Sequence, residues 1–216
     1  MQIAFVLYPG ITALDLIGPY EVLRSLPGAE VRFVSNERGP VTADSEVLTL
    51  MSTHSYAETP RPDILLVPGS ATNSMGILED KELIDWVVEA HRTTTWTTSV
   101  CSGALVLAKA GILNGLPATT HWMVQEGLRH FGAEPRPDER IVRSGRIVTA
   151  AGVSAGIDLG LWLVGEIAGR ERAEATQLII EYDPRPPYDT GHVSKASDAT
   201  IEGARAVFLD MAGIHD

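Results

Sequence analysis

The stretch from Thr94 to Leu107 changes abruptly from a strand pattern to a helix pattern. Its first half is rich in β-branched and aromatic residues, which predicts a buried strand, whereas the residues after Gly103 are mostly alanine and leucine, which favour a helix. The single cysteine of the chain, Cys101, lies where the two patterns meet. A junction of this kind can hold a nucleophile in a strained turn above the edge of a sheet. Cys101 is therefore the first candidate catalytic residue.

The surroundings of Cys101 allow two interpretations. The helix that follows would point its N-terminal N–H groups at the sulfur, which favours the thiolate and predicts a lowered pKa. Most free cysteines are instead small buried core residues. The strand-to-helix setting favours the catalytic interpretation.

Short apolar runs alternate with helical patterns along the rest of the chain. We expect strands at 2–8, 30–35, 47–51 and 63–67, a hairpin around Ser144-Gly145, and helices at 14–23, 81–91, 121–130, 155–167, 170–180 and 201–211. We expect Pro19 near the first turn of its helix, the helix at 155–167 to be deeply buried, and residues 181–188 to be extended on the surface. Strands that alternate with helices predict an α/β fold, a three-layer α/β/α sandwich with a flavodoxin-like, mostly parallel sheet, in a single domain over residues 1–216.

Composition limits the classes of function. The formal net charge of −11 makes nucleic acid an unfavourable partner. The N-terminal residues form an apolar strand pattern without a basic region, and no apolar run approaches membrane-spanning length, so we expect neither a signal peptide nor a membrane partner. A single cysteine excludes an internal disulfide framework and fits a reducing, cytoplasmic location.

No motif for a cofactor or a metal is found in the sequence. The histidines show no spacing suited to metal ligands, and neither a G-x-x-x-x-G-K-[ST] loop nor a G-x-G-x-x-G run follows a strand. We therefore expect no cofactor and no metal.

Three predicted strand ends carry polar or glycine-rich residues. The first strand leads to Asp15, the strand at 63–67 leads to Gly69 and Ser70, and the strand of the cysteine leads to Cys101 and Ser102. Ligands of such sheets bind beyond the carboxyl ends of the strands. If these strands are neighbours, a thiol, a carboxyl and backbone N–H groups converge, which is the arrangement for nucleophilic attack with a proton donor and an oxyanion hole.

Two further side chains allow alternative roles. Asp15 lies among apolar residues, which would raise its pKa and let it donate a proton, although an ordinary role as helix N-cap is equally common. His121 is close enough to the cysteine helix to line the same pocket, although such a residue is more often a packing histidine.

These residues carry a resemblance to a known family. The motifs are Leu14-Asp15-Leu16-Ile17-Gly18-Pro19, Pro68-Gly69, Thr98-Ser99-Val100-Cys101-Ser102-Gly103, Ala118-Thr119-Thr120-His121-Trp122, Gly152-Val153-Ser154-Ala155-Gly156-Ile157-Asp158 and Glu181-Tyr182-Asp183-Pro184-Arg185-Pro186-Pro187. With them the chain resembles the ThiJ/PfpI superfamily, which is class I glutamine amidotransferase-like. Within it the chain is most similar to the isocyanide hydratases and to the ligand domains of AraC-type regulators. The cysteine motif marks only the superfamily, whereas the Asp-Leu-x-Gly-Pro stretch and the proline-rich segment indicate the hydratase-like branch.

The resemblance implies a hydratase that converts isocyanides to N-substituted formamides and acts as a homodimer on a small molecule. Cys101 would attack the terminal isocyanide carbon and protonated Asp15 would donate to that carbon, giving a thioimidate that water hydrolyses. Backbone N–H groups of the Gly69, Ser70 and Ser102 region would face the developing charge, and Gly152 and Val153 would line the pocket. The hydratase pattern has threonine where this chain has Ser102 and glycine where it has Ser70.

Three other functions compete with this one. The first is a sensor or regulatory domain without turnover; no helix-turn-helix region follows it in this sequence, which counts against direct DNA binding. The second is a glyoxalase, amidase or peptidase; the resemblance implies a glutamate at the position of Asp15, or a histidine directly after the cysteine, for those branches, and this chain has neither. The third is a redox sensor that uses oxidation of Cys101.

Overall fold

Parallel strands carry the candidate residues of the chain. The computed structural model describes residues 1–212, so the last four residues of the domain predicted over 1–216 lie outside the described residues. The strands are β1 (Gln2–Val6), β2 (Glu30–Ser35), β3 (Gly39–Thr42), β4 (Thr49–Ser52), β5 (His54–Ser55), β6 (Ile64–Val67), β7 (Trp96–Val100), β8 (Pro117–Ala118), β9 (Glu134–Pro135), β10 (Ile141–Ser144) and β11 (Ile147–Ala150).

The main sheet has seven strands in the order β10-β11-β7-β6-β1-β2-β5. Every neighbouring pair is parallel except β10 and β11, which form the predicted antiparallel hairpin. The chain leaves β1 for β2 on one side and later returns to β6 on the other side, so β1 and β6 flank a topological switch point. Their carboxyl ends are where an open α/β sheet usually binds its ligand.

Helices cover both faces of this sheet and complete a three-layer α/β/α sandwich. They are α1 (Ala13–Leu23), α2 (Lys81–His91), α3 (Gly103–Lys109), α4 (Gln125–His130), α5 (Ala155–Ala168), α6 (Arg170–Ile179) and α7 (Asp198–Met211). Helix α1 packs against α5, and α5 against α6, while α2, α3 and α4 pack in succession. The central strands β1, β6 and β7 are almost completely buried, and the apolar runs of β1 and β6 predict this for those two strands. The predicted fold class is confirmed.

Two expectations about the helices are wrong in detail. Pro19 lies in the middle of α1 and not near its first turn. A Cβ atom added to Gly156 of α5 would lie 3.0 Å from the Pro19 ring, so close packing against α5 holds a helix that lacks one N–H donor. Helix α5 is fully buried on one face only, because Leu161 and Trp162 on its other side are partly buried.

The α-helix predicted at 121–130 is shorter than expected. The predicted helix at 121–130 begins as a 3-10 turn at Trp122–Val124 and becomes α-helical only from Gln125. Residues 181–188 have neither helix nor strand and are mostly exposed, as predicted. No helix among residues 1–212 has the length and apolar character needed to cross a membrane.

Candidate active site

Three adjacent strands, β1, β6 and β7, bring the candidate residues together. Asp15 lies in the first turn of α1 after β1, Gly69 and Ser70 follow β6, and Cys101 follows β7. The carboxyl ends of parallel neighbours meet at one edge of a sheet, so the convergence that was conditional on strand order is found in the structure.

Cys101 lies in a strained turn between β7 and α3. Its φ is +57°, in the left-handed region that non-glycine residues rarely adopt. The turn is held from both sides: the Cys101 N–H donates to the carbonyl oxygens of Ala150 and Ala151 at 3.2 and 3.0 Å, and the Thr120 hydroxyl donates to the Cys101 carbonyl at 2.7 Å. The residue is only 6% exposed, so the sulfur is reached through a cavity and not from open solvent.

The Asp15 side chain points away from its own helix. Thr12 is the N-cap residue of α1, and the Asp15 carboxyl accepts a hydrogen bond from the Gly69 N–H at 2.9 Å on Oδ2. Its other oxygen, Oδ1, is buried and accepts no hydrogen bond from a nitrogen or oxygen donor. The alternative that Asp15 is an ordinary helix cap is therefore wrong.

Cys101 and Asp15 interact directly, and burial changes the proton affinity of both. Desolvation raises the pKa of Asp15 to about 7, although the Gly69 N–H and the Cys101 thiol oppose the shift by hydrogen bonding. Desolvation also raises the pKa of the Cys101 thiol, and the charge of Asp15 raises it further. Above a pH of about 7 the pair therefore holds a single proton, which resides on the sulfur.

The expected lowering of the Cys101 pKa is wrong. The backbone N–H groups of Val153 and Ser102 lower the pKa of the thiol, as a helix terminus would. Burial and the neighbouring carboxylate outweigh them, so the resting thiol is neutral and Asp15 loses its proton first.

The backbone N–H groups after β6 are already engaged. The Gly69 N–H donates to Asp15, and the Ser70 N–H donates to the Ser102 hydroxyl oxygen at 2.9 Å. The expectation that they face the reacting atoms is therefore wrong. A Cβ atom on Gly69 would lie 2.6 Å from the Ser102 nitrogen, so glycine is needed for this close approach. The Ser70 hydroxyl donates to the Gly10 carbonyl and is turned to the neighbouring loop.

The remaining predicted pocket residues are Gly152, Val153 and His121. Val153 lines the cavity and has a φ of +27°, whereas Gly152 lies behind it, against the His121 ring. A Cβ atom on Gly152 would lie 2.5 Å from Cδ2 of His121. The His121 ring lines the cavity and accepts a hydrogen bond from the Met123 N–H, and burial lowers its pKa, so it is neutral at neutral pH.

A cavity of about 270 Å³ opens above Cys101. Its wall includes residues that the sequence interpretation missed: Thr12, Asp44, Trp122, Met123, Val124 and four residues of α7, namely Ala204, Val207, Phe208 and Met211. The four α7 residues lie at positions i, i+3, i+4 and i+7, and this helical stripe is the signal that could have identified them.

A metal ion is held by several ligating side chains that lie close together. Among residues 1–212, no group of three or more histidine, cysteine, aspartate or glutamate side chains is arranged to hold one. His215, one of the histidines without metal-ligand spacing, lies outside the described residues.

Comparison with known sequences gives relatives over nearly the whole chain. The model of the DJ-1/PfpI family matches residues 1–166. An isonitrile hydratase from Pseudomonas putida is 41% identical over 206 residues, which covers 95% of this chain and 89% of that protein. The HTH-type transcriptional regulator CdhR from Pseudomonas aeruginosa is 25% identical over 210 residues, which covers 94% of this chain but only 62% of the regulator.

Comparison with solved structures agrees with these relatives. A ThiJ/PfpI family protein from Pseudomonas syringae has a TM-score of 0.89 and 36% sequence identity, with 98% of this chain and 88% of that chain covered. An AraC family transcriptional regulator from Pseudomonas putida, at 21% identity and a TM-score of 0.72, shares the fold over 83% of this chain and 98% of its own. On the family model and the 41% identical relative, this chain belongs to the DJ-1/PfpI family.

Proposed function

We propose that this protein hydrates isocyanides to N-substituted formamides with Cys101 as the nucleophile and Asp15 as the proton carrier. The observation that carries the proposal is the buried pair of thiol and carboxyl at the base of a largely apolar cavity, in which the carboxyl loses its proton at a lower pH than the thiol and can then act as its base. Similarity to an isonitrile hydratase at 41% identity supports the same chemistry.

The first step forms a carbon–sulfur bond. As sulfur attacks the terminal carbon of R–N≡C, the Asp15 carboxylate takes the thiol proton and then delivers it to that carbon. The product is the thioimidate R–N=CH–S–Cys101, and Asp15 is again a carboxylate. The N–H groups of Val153 and Ser102 stabilise the negative charge on sulfur while it lasts.

The second step releases the product. Water adds to the thioimidate carbon, one of its protons passes to nitrogen, and the carbon–sulfur bond breaks to give R–NH–CHO. The other water proton returns to the Cys101–Asp15 pair, which regains its single proton. The reaction needs no oxidant, reductant or cofactor, because a water molecule supplies every atom that is added.

Two of the competing functions receive less support from the site. Nδ1 of the neutral His121 ring accepts the Met123 N–H, so its Nε2 carries the ring proton and the histidine has no free nitrogen lone pair with which to act as the base of a Cys–His hydrolase. A thiol that is 6% exposed and has a raised pKa is a slow target for oxidants, which reduces the case for a redox sensor.

A direct assay tests the proposal. The purified protein is incubated with an aryl isocyanide, and the formation of the aryl formamide is followed by absorbance and identified by mass spectrometry. We expect repeated turnover that scales with enzyme concentration. Absence of formamide above the buffer background at every substrate concentration tried would contradict the proposal.

The pH dependence of hydration should report the titration of Asp15. Below a pH of about 7 both Asp15 and Cys101 carry protons, and the pair must lose one before sulfur can attack. We therefore expect kcat/KM to rise with pH through about 7 and to level off above it, since the raised pKa of the thiol keeps the second proton in place. A profile measured from pH 5 to 9 checks this, and a limb near pH 4, where an ordinary carboxyl titrates, would contradict it.

A further inference from the structure

One side of the cavity is formed by α7, a helix with no fully buried residue. Val207, Phe208 and Met211 of α7 line the cavity together with Trp122, Met123 and Val124. The α7 residues face the body of the protein with one apolar stripe, while the cavity separates them from Cys101. A substrate bound to Cys101 would therefore be enclosed between the sheet edge and α7.

Helix α7 lies on the surface of the domain and not in its core. Val207 and Met211 are 58% and 66% exposed, and no residue of α7 is fully buried. The segment at 181–197 that leads to it has only a short 3-10 turn, at Val193–Lys195. The Arg205 guanidinium lies 5.3 Å from the centre of the Trp122 ring, a cation–π contact beside the cavity. Apolar side chains left this exposed gain burial when an apolar group occupies the cavity.

The charge of the cavity wall also favours an uncharged substituent on the substrate. Among the described residues that line the cavity, Asp44 is the charged side chain, and the Thr12 hydroxyl donates to its carboxylate at 2.6 Å. No lysine or arginine of the described residues is part of this lining. A carboxylate on the substrate would be repelled by Asp44, and the cation beside the cavity, Arg205, lies over the Trp122 ring and outside the lining.

We propose that α7 is the specificity wall of the site, with Val207, Phe208 and Met211 contacting the substituent of the isocyanide, so that uncharged apolar substituents are preferred over anionic ones. This inference rests on the proposed function for its substrate. The residues of α7 act on binding of the substituent and not on the proton transfer between Cys101 and Asp15, because they lie across the cavity from the reacting atoms. Loss of their contacts should therefore appear in KM more than in kcat.

The main test compares two neighbouring substitutions on α7. Phe208→Ala removes a side chain from the wall, whereas Leu209→Ala, the matched control, removes an exposed side chain that is not part of it. With naphthyl isocyanide we expect Phe208→Ala to lower kcat/KM about tenfold, chiefly through KM, which is the scale of lost apolar contacts. With methyl isocyanide, whose substituent is much smaller, Leu209→Ala should stay within about twofold of the unchanged protein and Phe208→Ala should lose much less kcat/KM than it does with the naphthyl substrate. Equal effects of the two substitutions on the naphthyl substrate would overturn the proposal.

The charge preference has its own comparison. We expect the methyl ester of 4-isocyanobenzoate to be hydrated at a much higher kcat/KM than the free carboxylate, and Asp44→Asn to reduce the difference severalfold. A carboxylate that is accepted as well as its ester would contradict the predicted preference.

A chemical probe separates failure of this inference from failure of the proposed function. Alkylation of Cys101 by iodoacetamide needs no isocyanide chemistry, and a fluorescein iodoacetamide carries the same reactive group on a much bulkier body that must pass the wall of the cavity. We expect the double substitution Phe208→Ala and Met211→Ala to increase the rate with the bulky reagent relative to the small one, and Leu209→Ala to leave that ratio unchanged. If the protein hydrates no isocyanide but the ratio changes, only the function is wrong; if the ratio does not change, α7 is not a wall.

Discussion

Cys101→Ala is expected to lower kcat for isocyanide hydration by at least about 10⁴-fold, the scale seen when a covalent nucleophile is removed. The sulfur forms the bond to the isocyanide carbon, and no other side chain at the base of the cavity can replace it. Formamide production by the purified variant, measured against the same background as the unchanged protein, gives the result directly. Turnover within about tenfold of the unchanged enzyme would exclude Cys101 as the nucleophile.

The fold should survive this substitution, which makes the activity loss interpretable. The φ of +57° at residue 101 costs alanine and cysteine similar amounts, and the hydrogen bonds that hold the turn are made by backbone atoms of Cys101. We expect the free energy of unfolding to change by no more than about 1 kcal/mol. A second, independent readout is the protein mass after rapid acid quench: the unchanged enzyme should carry the added mass of one isocyanide, and Cys101→Ala and Cys101→Ser should not.

The arrangement of Cys101, Asp15 and Gly69 could be predicted because Cys101 and Gly69 closely follow buried strands and Asp15 lies in the first turn of the helix after the first strand. Strand runs such as Ile64–Val67 are continuous and apolar, so their ends are marked by Pro-Gly or by a change of pattern. Parallel strands have their carboxyl ends at one edge of the sheet, and this rule predicts that the residues after neighbouring strands lie close together. The order of the strands in the sheet, which decides whether the three ends are neighbours, has no local signal.

The proton affinity of Cys101 could not be predicted from the same residues, because it depends on the depth of burial. A helix terminus stabilises an anion by about 0.3–1 kcal/mol, and by about 2 kcal/mol in favourable cases. Full burial shifts a pKa by as much as about 3–5 units, equivalent to roughly 4–7 kcal/mol. Sequence pattern identifies the helix after Cys101 but not the burial of the sulfur or the group that takes its proton. The sequence therefore shows the helix terminus, which lowers the pKa a little, and not the burial, which raises it more.

Hydrogen-bond partners were also out of reach of the sequence. The Gly69 and Ser70 N–H groups looked available because they follow a strand, yet one binds Asp15 and the other binds Ser102. The α7 wall was missed for a different reason. Ala204, Val207, Phe208 and Met211 form a regular helical stripe, but a stripe does not say whether it faces the core, a partner or a cavity.

Asp15→Asn is expected to slow hydration at least about 100-fold, the lower end of general acid–base effects. Asparagine keeps the size of the side chain, and its carbonyl oxygen can still accept the Gly69 N–H bond. It cannot take the proton from Cys101 or return it to the isocyanide carbon. The limb of the pH profile near 7 should disappear with the carboxyl, and kcat/KM measured from pH 5 to 9 checks both effects.

The same substitution should make the protein more stable above neutral pH. The pKa of Asp15 is raised from 3.8 to about 7, so the native state holds this proton more tightly than the unfolded chain does. Stability contributed by the protonated carboxyl is present at acid pH and is lost as pH rises from about 4 through about 7, because a buried charge must then form. An asparagine side chain at this position would form no charge, and the gain should reach a few kcal/mol at pH 8, since each pKa unit corresponds to about 1.4 kcal/mol.

Denaturant unfolding of both proteins at pH 5 and pH 8 separates the catalytic role from a structural one. A carboxyl that is buried for catalysis costs stability when it is charged. The free energy of unfolding of Asp15→Asn should therefore exceed that of the unchanged protein by more at pH 8 than at pH 5, while the hydration activity of the variant falls. A residue that holds α1 against the loop at Gly69 would behave in the opposite way: its loss would lower stability at both pH values and leave the hydration rate nearly unchanged. That second pattern would contradict the role of Asp15 as the proton carrier. Cys101 would remain the nucleophile, because Asp15 is needed only to deliver the proton that reaches the isocyanide carbon.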